Sequence, residues 1–218
     1  MSETPPTAAV DEEILARLRL AAEGDSQPWQ ELVEAHRPRL QRMVALRIDR
    51  RMQRRASASD IVQEAYLEAA EHLGEYLKNP KMPLYLWLRG ITGNKLLELH
   101  RHHLGFKMRD AARDVALDGG GGMHSNSRAV AAALAGDNTS PSMAAARREM
   151  KHLLEEALDS LDPLDREVLA LRHYEHLTNG EVAQVLGIDT SAASKRYVRA
   201  LRRLKGILAP GADRAKDA

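Results

Sequence analysis

The sequence predicts an all-α chain folded as two small helical domains, and three observations carry that reading. Its 218 residues include two Trp, five Tyr and one Phe, while Leu, Ala, Arg and Glu are abundant, a balance that favours helices over β-sandwiches and barrels. Apolar residues recur at helical spacing through most of the chain. Between the two helical halves stands Gly119–Gly122, a run whose backbone entropy no helix interior accommodates. At roughly 100–200 residues per domain the length admits one large domain or two small ones, and the glycine run favours two.

Residues 1–10 are polar and Pro-containing and are expected to be disordered. Ile14, Leu15, Leu18, Ala21 and Ala22 then make a helical stripe, Gly24-Asp25-Ser26 breaks it, and Trp29, Leu32, Val33, His36, Leu40, Met43, Val44 and Ile48 resume it. The second helix runs into eight arginines between Arg37 and Arg55, offset only by Asp49, which on composition alone read as a solvated face. Ser57-Ala58-Ser59-Asp60 supplies an N-cap and a first-turn acid for a third helix. That helix buries Ile61, Val62, Ala65, Tyr66, Ala69 and Leu73 and turns Asp60, Gln63, Glu64, Glu68 and Glu71 outward. Asn79-Pro80-Lys81-Met82-Pro83 is a loop, because two prolines so close together deny a continuous helix, and Leu84–Leu99 is the fourth helix. Residues 111–143 read as a flexible linker with at most a transient turn at Val130–Leu134. The second domain is expected to hold helices at 144–161, 162–174, 178–186 and 190–208, with a disordered tail from 210.

The stretch from Thr178 to Leu208 carries the chemistry. Thr178 can cap a short helix, Gly187 can adopt the left-handed conformation that ends it, and Thr190 or Ser191 can cap the next. That is a helix-turn-helix pattern. On a helical wheel Ala193, Tyr197, Ala200, Leu201, Leu204 and Leu208 share an apolar arc. Opposite them lie Ser191, Ala192, Lys195, Arg199, Arg202 and Arg203, with Arg196 on the flank. Six cations between Lys195 and Lys205, with no acid among them, suit a phosphate backbone. The small residues Ser191, Ala192 and Ser194 let the first turn approach base edges.

Four blocks, in order, resemble the sigma-70 family of bacterial RNA polymerase sigma factors of the extracytoplasmic-function (ECF) type. They are Ala22-Glu23-Gly24-Asp25 with Trp29, Leu32 and Val33; Ser59 to Tyr66, similar to the family's D-x-x-Q-E block; Leu84-Tyr85-Leu86-Trp87-Leu88 with Ile91, Asn94, Glu98 and Arg101; and Leu161-Asp162-Pro163 with Asp165 to Leu169, leading to Glu181, Ala183 and Leu186-Gly187-Ile188. The segments 165–203 and 103–110 resemble members from planctomycete-like bacteria. The resemblance implies a region 2-type helical bundle at 11–110 and a region 4-type helix-turn-helix domain at 144–209.

It also implies roles. Asp60, Gln63 and Glu64 would meet the β′ clamp helices of core RNA polymerase, and the second domain would meet the β flap. Lys78, Asn79, Lys81, Asn94, Lys95 and Arg101 would capture the −10 element, where Asn suits base edges and Lys or Arg suits phosphate. Thr190, Ser191, Ala192, Ser194, Lys195, Arg196, Arg199, Arg202 and Arg203 would face the −35 duplex. Trp87 has two readings, a stacking platform or a core residue among Leu84, Leu86, Leu88 and Ile91. Ser194 and Lys195 depart from the common family pattern, as does the Asn79–Pro83 loop. An anti-sigma protein or, as in some relatives, a Ser/Thr kinase acting at Thr178 or Thr190 is the regulator the family would supply.

A stand-alone helix-turn-helix repressor or activator is the alternative. An enzyme is disfavoured: the chain has no Cys, and His100, His102, His103, His173 and His176 lack an H-E-x-x-H pattern. No catalytic residue, cofactor or metal site is expected, and the lack of an apolar span or export signal reads as a cytoplasmic protein without membrane insertion. The net charge of +1 is a sum over opposed stretches. Residues 11–34 and 149–167 each net −5 (seven acids, two bases), whereas 37–55 nets +7 (eight bases, one acid) and 195–205 nets +6.

Overall fold

The computed structural model describes residues 11–49, 51–53, 55–104, 125–134 and 144–214, and among these there are helices and no strands. The first four helices are α1 (Glu12–Ala22), α2 (Ser26–Arg47), α3 (Ala58–Lys78) and α4 (Leu84–Leu104). Each of the first three starts where the sequence offers a cap. Asp11 Oδ1 accepts from the Glu13 amide at 2.9 Å, Asp25 Oδ1 from Gln27 at 3.1 Å, and Ser57 with Asp60 forms a reciprocal capping box. Gly24, at φ +112°, makes the turn between α1 and α2. Pro38 lies inside α2 and is exposed, so the helix continues past one missing hydrogen bond.

Leu15 and Leu18 of α1, Leu40, Met43 and Val44 of α2, Val62, Ala65 and Ala69 of α3, and Leu88 and Leu96 of α4 close one core. Tyr66 Oη donates to the Val33 carbonyl at 2.5 Å and Tyr76 Oη to Met82 at 2.8 Å, so the phenols entering the core keep their hydrogen bonds. Trp87 is half-buried and stacks on Tyr76, with ring centroids 4.5 Å apart at 19°.

The remaining helices are α5 (Ser127–Leu134), α6 (Ala144–Asp159), α7 (Pro163–His173), α8 (Asn179–Leu186) and α9 (Thr190–Arg214). Helix α5 stands inside the segment read as flexible linker, and Gly119–Gly122 lie outside the described residues. Ser-Arg-Ala-Val-Ala-Ala-Ala-Leu is small enough on one face to pack closely: Val130 and Ala131 are fully buried with Leu46, Leu158, Leu161, Leu169 and Ala170. The caps of α7 and α8 fall at Asp162 and Thr178 as expected. That of α9 does not: Asp189 Oδ1, rather than the Thr190 or Ser191 hydroxyl, accepts from the Ala192 amide at 2.6 Å. Asp ranks with Ser as an N-cap, and its charge also suits the helix N-terminus. The helix then runs to Arg214, beyond the Leu208 end that the sequence suggested.

The two helical units are docked. Val168, Leu171, Leu177, Val182, Ala183 and Ala193 join the core of the first unit. Arg47, 3% exposed at its side chain, was expected on a solvated face; instead it pairs with Glu167 and, at 2.6 Å, with Glu175. Arg89 Nε meets Glu175 at 2.5 Å, and Arg39 stacks 3.7 Å from the Tyr85 ring while donating to the Glu175 carbonyl at 3.0 Å. Burial opposes ionisation of Glu175, but Arg47 and Arg89 outweigh it and bring its pKa from 4.5 down to about 2. Glu167, facing the same arginines, is also lowered against burial. A depressed carboxyl pKa means that the contribution to docking is fully present above pH 4.5 and is lost as the pH falls towards about 2. The radius of gyration measured by X-ray scattering is therefore expected to rise through that window, and the Glu175→Gln variant to lose this part of the dependence.

Candidate nucleic-acid and partner interfaces

Three surfaces gather the residues singled out in the sequence. The first is the outer face of α3, where the apolar stripe beneath forces Asp60, Gln63, Glu64 and Glu71 outward and all four are exposed. Asp60 also works within its helix. Its Oδ2 accepts from the Ser57 amide at 2.9 Å and the Ser57 hydroxyl at 2.7 Å, which lowers its pKa and keeps it ionised. Glu68 leaves the face by pairing with Lys95 at 2.5 Å. Leu67, absent from the sequence reading, is 64% exposed in the middle of this acidic stripe. Its position at i+4 from Gln63 and i+7 from Asp60 was the signal available. An apolar side chain ringed by carboxylates and amides is suited to a protein partner with an apolar pocket inside a basic rim.

The second surface runs from the loop after α3 along α4. Lys78, Asn79 and Lys81 are exposed at the loop, and Asn94 and Arg101 are exposed on α4. Trp87, Asn94 and Arg101 recur every seven residues and so share one face. That face extends roughly 20 Å along the helix axis at 1.5 Å per residue, a strip suited to several nucleotides rather than a single pocket. Lys95 points about 100° away, to Glu68 and Glu98 at 2.5 and 3.7 Å. Its acidic neighbours raise its pKa, Glu68 first among them. Of the six residues expected here, five lie open and Lys95 is held by carboxylates.

The third surface is the helix-turn-helix. Thr178 Oγ1 accepts from the Glu181 amide at 3.2 Å while Glu181 accepts from Thr178 N–H at 2.7 Å, and Gly187 ends α8 at φ +64°. Asn179 Nδ2 donates to the Thr190 carbonyl at 2.7 Å, fixing the turn against the start of α9. Replacing Thr178 by Ala removes half of the capping box. It is expected to cost about 1 kcal/mol of domain stability in a urea titration.

On α9, Ser191, Ser194, Lys195, Arg202 and Arg203 are exposed, and Thr190 and Ala192 are half-buried. Arg196 and Arg199 are differently placed. Asp165 of α7, itself buried, receives Arg196 Nη1 at 2.7 Å and both Arg199 Nε and Nη2 at 2.6 Å. Burial opposes ionisation of Asp165, but the two guanidiniums prevail and lower its pKa. Val198, missing from the sequence reading, is 51% exposed between Ser191, Ser194, Lys195 and Arg202, and Leu201, assigned there to the apolar arc, is 38% exposed. Both stand where the wheel turns from apolar to polar, and α9 buries a narrower stripe than the sequence suggested, centred on Ala193, Ala200 and Leu204.

Among the described residues no group of three or more His, Cys, Asp or Glu side chains could hold a metal ion, and no helix is long and apolar enough to cross a membrane. His100, on α4, is buried and accepts the Asp49 amide at 3.2 Å.

Comparison with known proteins identifies the family. Residues 32–104 match the family model for sigma-70 region 2, and residues 157–206 match that for sigma-70 region 4. Together they span more than half of the chain. The chain belongs to the sigma-70 family: it is an RNA polymerase sigma factor that binds core polymerase and promoter DNA and directs promoter-specific initiation. It is of the ECF type. The ECF sigma factor SigD of Mycobacterium tuberculosis is 27% identical over 97% of this chain and 92% of its own length. CarQ of Myxococcus xanthus, an RNA polymerase sigma factor, is 26% identical over 85% of this chain and 92% of its own. A probable sigma factor of Xanthomonas campestris, RfaY, is 32% identical over 66% of this chain, which spans only 32% of that longer protein. The solved structure of CnrH in complex with the cytosolic domain of CnrY shares the fold, with a TM-score of 0.53 and 23% identity over 90% of this chain and 97% of that one. None of these relatives bears on the planctomycete-like reading.

Proposed function

We propose that the three surfaces divide the work of initiation. The outer face of α3, with Asp60, Gln63, Glu64 and Leu67, docks on the clamp helices of core polymerase. The strip from Lys78, Asn79 and Lys81 to Asn94 and Arg101 takes the −10 element, and Lys95 sets the spacing between α3 and α4 through Glu68. On α9, Ser191, Ser194, Lys195, Val198, Arg202 and Arg203 read and grip the −35 duplex, Thr190 and Ala192 seat the first turn, and Arg196 and Arg199 hold the helix in place through Asp165. Val198 is suited to a thymine methyl and Arg202 to guanine or phosphate. The chain catalyses nothing itself, acts in the cytoplasm, and reaches the β flap through the second unit. Its regulator is an anti-sigma protein or a kinase.

The observation that carries this reading is the exposure of Leu67 within an acidic face on one unit while a helix with six cations and no acid between Lys195 and Lys205 follows the Gly187 turn on the other. The test is co-sedimentation of the full chain with bacterial core polymerase, followed by footprinting on a selected promoter. Protection at both −10 and −35 is expected, and failure to associate at physiological salt contradicts it.

A further inference from the structure

Of the arginines crowded between Arg37 and Arg55, three have partners on helices: Arg37 meets Glu34 at 2.5 Å, Arg39 donates to the Glu175 carbonyl, and Arg47 is buried against Glu175. Arg51 and Arg55 are exposed in the connection between α2 and α3, and none of the three surfaces described above uses them.

That connection is built of two successive turns. The Met52 amide donates to the Asp49 carbonyl at 2.8 Å, and the Arg55 and Ala56 amides donate to the Met52 carbonyl at 2.8 and 3.1 Å. The Met52 side chain, 2% exposed, drops into the core, so the arginines on either side of it are held outward. Asp49 accepts Arg51 Nε at 3.0 Å and Nη2 at 2.8 Å, yet 71% of the Arg51 side chain stays exposed. The carboxylate fixes the guanidinium plane and leaves its Nη1 edge free to donate. Arg55 makes no ion pair among the described residues. In sequence, Arg50 and Arg54 alternate with these two, and residues 50–57 contain no acid. Asp60, the next acid along, is engaged with the Ser57 cap.

The position of the turns supplies their partner. The Asp49 amide donates to His100 Nε2 at 3.2 Å, which ties the connection to the last turns of α4, beside Arg101 at the end of the strip assigned to the −10 element. The chain leaves the first unit at this end of α4 on its way to the helix that reads the −35 element, so this end faces the duplex between the two elements. Nor do the arginines share their surface with an apolar anchor: Ile48 and Met52 are buried and Ala56 is half-buried. A protein interface centres on such an anchor, as the α3 face does on Leu67, whereas exposed guanidiniums without one suit phosphate.

We propose that Arg51 and Arg55, together with Arg101, clamp the sugar–phosphate backbone of the duplex immediately upstream of the −10 element. The contact works through charge and is indifferent to sequence. Its place on the promoter rests on the assignment of the α4 strip to the −10 element.

The test uses holoenzyme formed from core polymerase and the full chain, and two DNAs cut from one selected promoter. One is a fork with an unpaired −10 strand and upstream duplex that stops short of the −35 element; the other is the −10 strand alone. Fluorescence anisotropy over a range of salt concentrations reads both. Arg51→Ala/Arg55→Ala is expected to reduce the salt slope on the fork by about one to two units and to weaken that complex several-fold at physiological salt. Binding to the single strand and to core polymerase should stay as they were, and Arg51→Lys/Arg55→Lys should restore most of the slope. Should the alanine pair fail to fold by circular dichroism, Arg55→Gln, which removes no ion pair, is expected to reduce the slope by about one unit. An unchanged slope on the fork overturns the clamp. So does an equal loss on the single strand, or a loss of core polymerase affinity measured without DNA, which would make the turns a protein contact. Asn94→Ala separates the two readings: if it leaves the −10 preference intact, the strip assignment fails, and a slope reduced on the fork alone still supports the duplex contact.

Discussion

Changing Gln63 and Leu67 together to Ala is expected to weaken binding to bacterial core RNA polymerase by about 2–4 kcal/mol, some thirty- to several-hundred-fold. The size follows from position. Leu67 is 64% exposed at the centre of the α3 face, the place where the proposed docking would desolvate an apolar anchor fully, and Gln63 lies one turn away. Neither side chain is buried in the free protein, so the melting temperature should stay within about a degree or two, as for surface substitutions generally. Fluorescence anisotropy of the labelled chain against core polymerase reads the affinity, and circular dichroism reads the fold. Asp60→Ala is a poorer probe, because it also removes one half of the Ser57 capping box.

The second large effect separates readers from supports on α9. Lys195→Ala and Arg202→Ala are expected each to weaken −35 duplex binding by about 1–3 kcal/mol, with the salt dependence falling by about one unit for a phosphate contact and sequence preference relaxing for a base contact. Val198→Ala should relax preference at one thymine with a smaller loss. Arg199→Ala should behave differently: it removes two of the three guanidinium hydrogen bonds to the buried Asp165 carboxylate and leaves Arg196 alone to hold it, so the denaturation midpoint of the protein drops together with DNA binding. Gel shifts with a holoenzyme footprint and a urea titration on the same variants distinguish the two groups.

The helices were legible because their signals are local. Ser57 with Asp60, Asp162-Pro163, and Thr178 with Glu181 announce helix starts within a few residues, Gly187 announces an end, and the alternation of Ile61, Val62, Ala65 and Ala69 with Gln63, Glu64 and Glu68 sets the orientation of α3. What stayed hidden depends on partners far along the chain. Arg47 belongs to a cationic run that looks solvated until Glu167 and Glu175, more than a hundred residues on, are brought to it. Glu167 did carry a faint sign, lying at helical spacing from Leu164 and Leu171 on the buried side of α7. Arg196 and Arg199 looked like DNA ligands for the same reason, since Asp165 lies 31 and 34 residues upstream. Leu67 and Val198 carry no distinguishing signal in the sequence, because a single exposed apolar residue is common on any surface. Their meaning came from the charged neighbours that folding arranged around them.

On the function proposed, this chain supplies promoter specificity through separate polymerase and DNA surfaces. This is tested most directly by transcription in vitro from a library of randomised promoters, using core RNA polymerase with and without the full chain. Transcripts that depend on the chain and start downstream of a shared pair of −35 and −10 sequences are expected. They should be lost with Gln63→Ala/Leu67→Ala and redistributed among −35 sequences with Arg202→Ala or Val198→Ala. Transcripts unchanged by adding the chain, or a promoter preference indifferent to every α9 substitution, would contradict it.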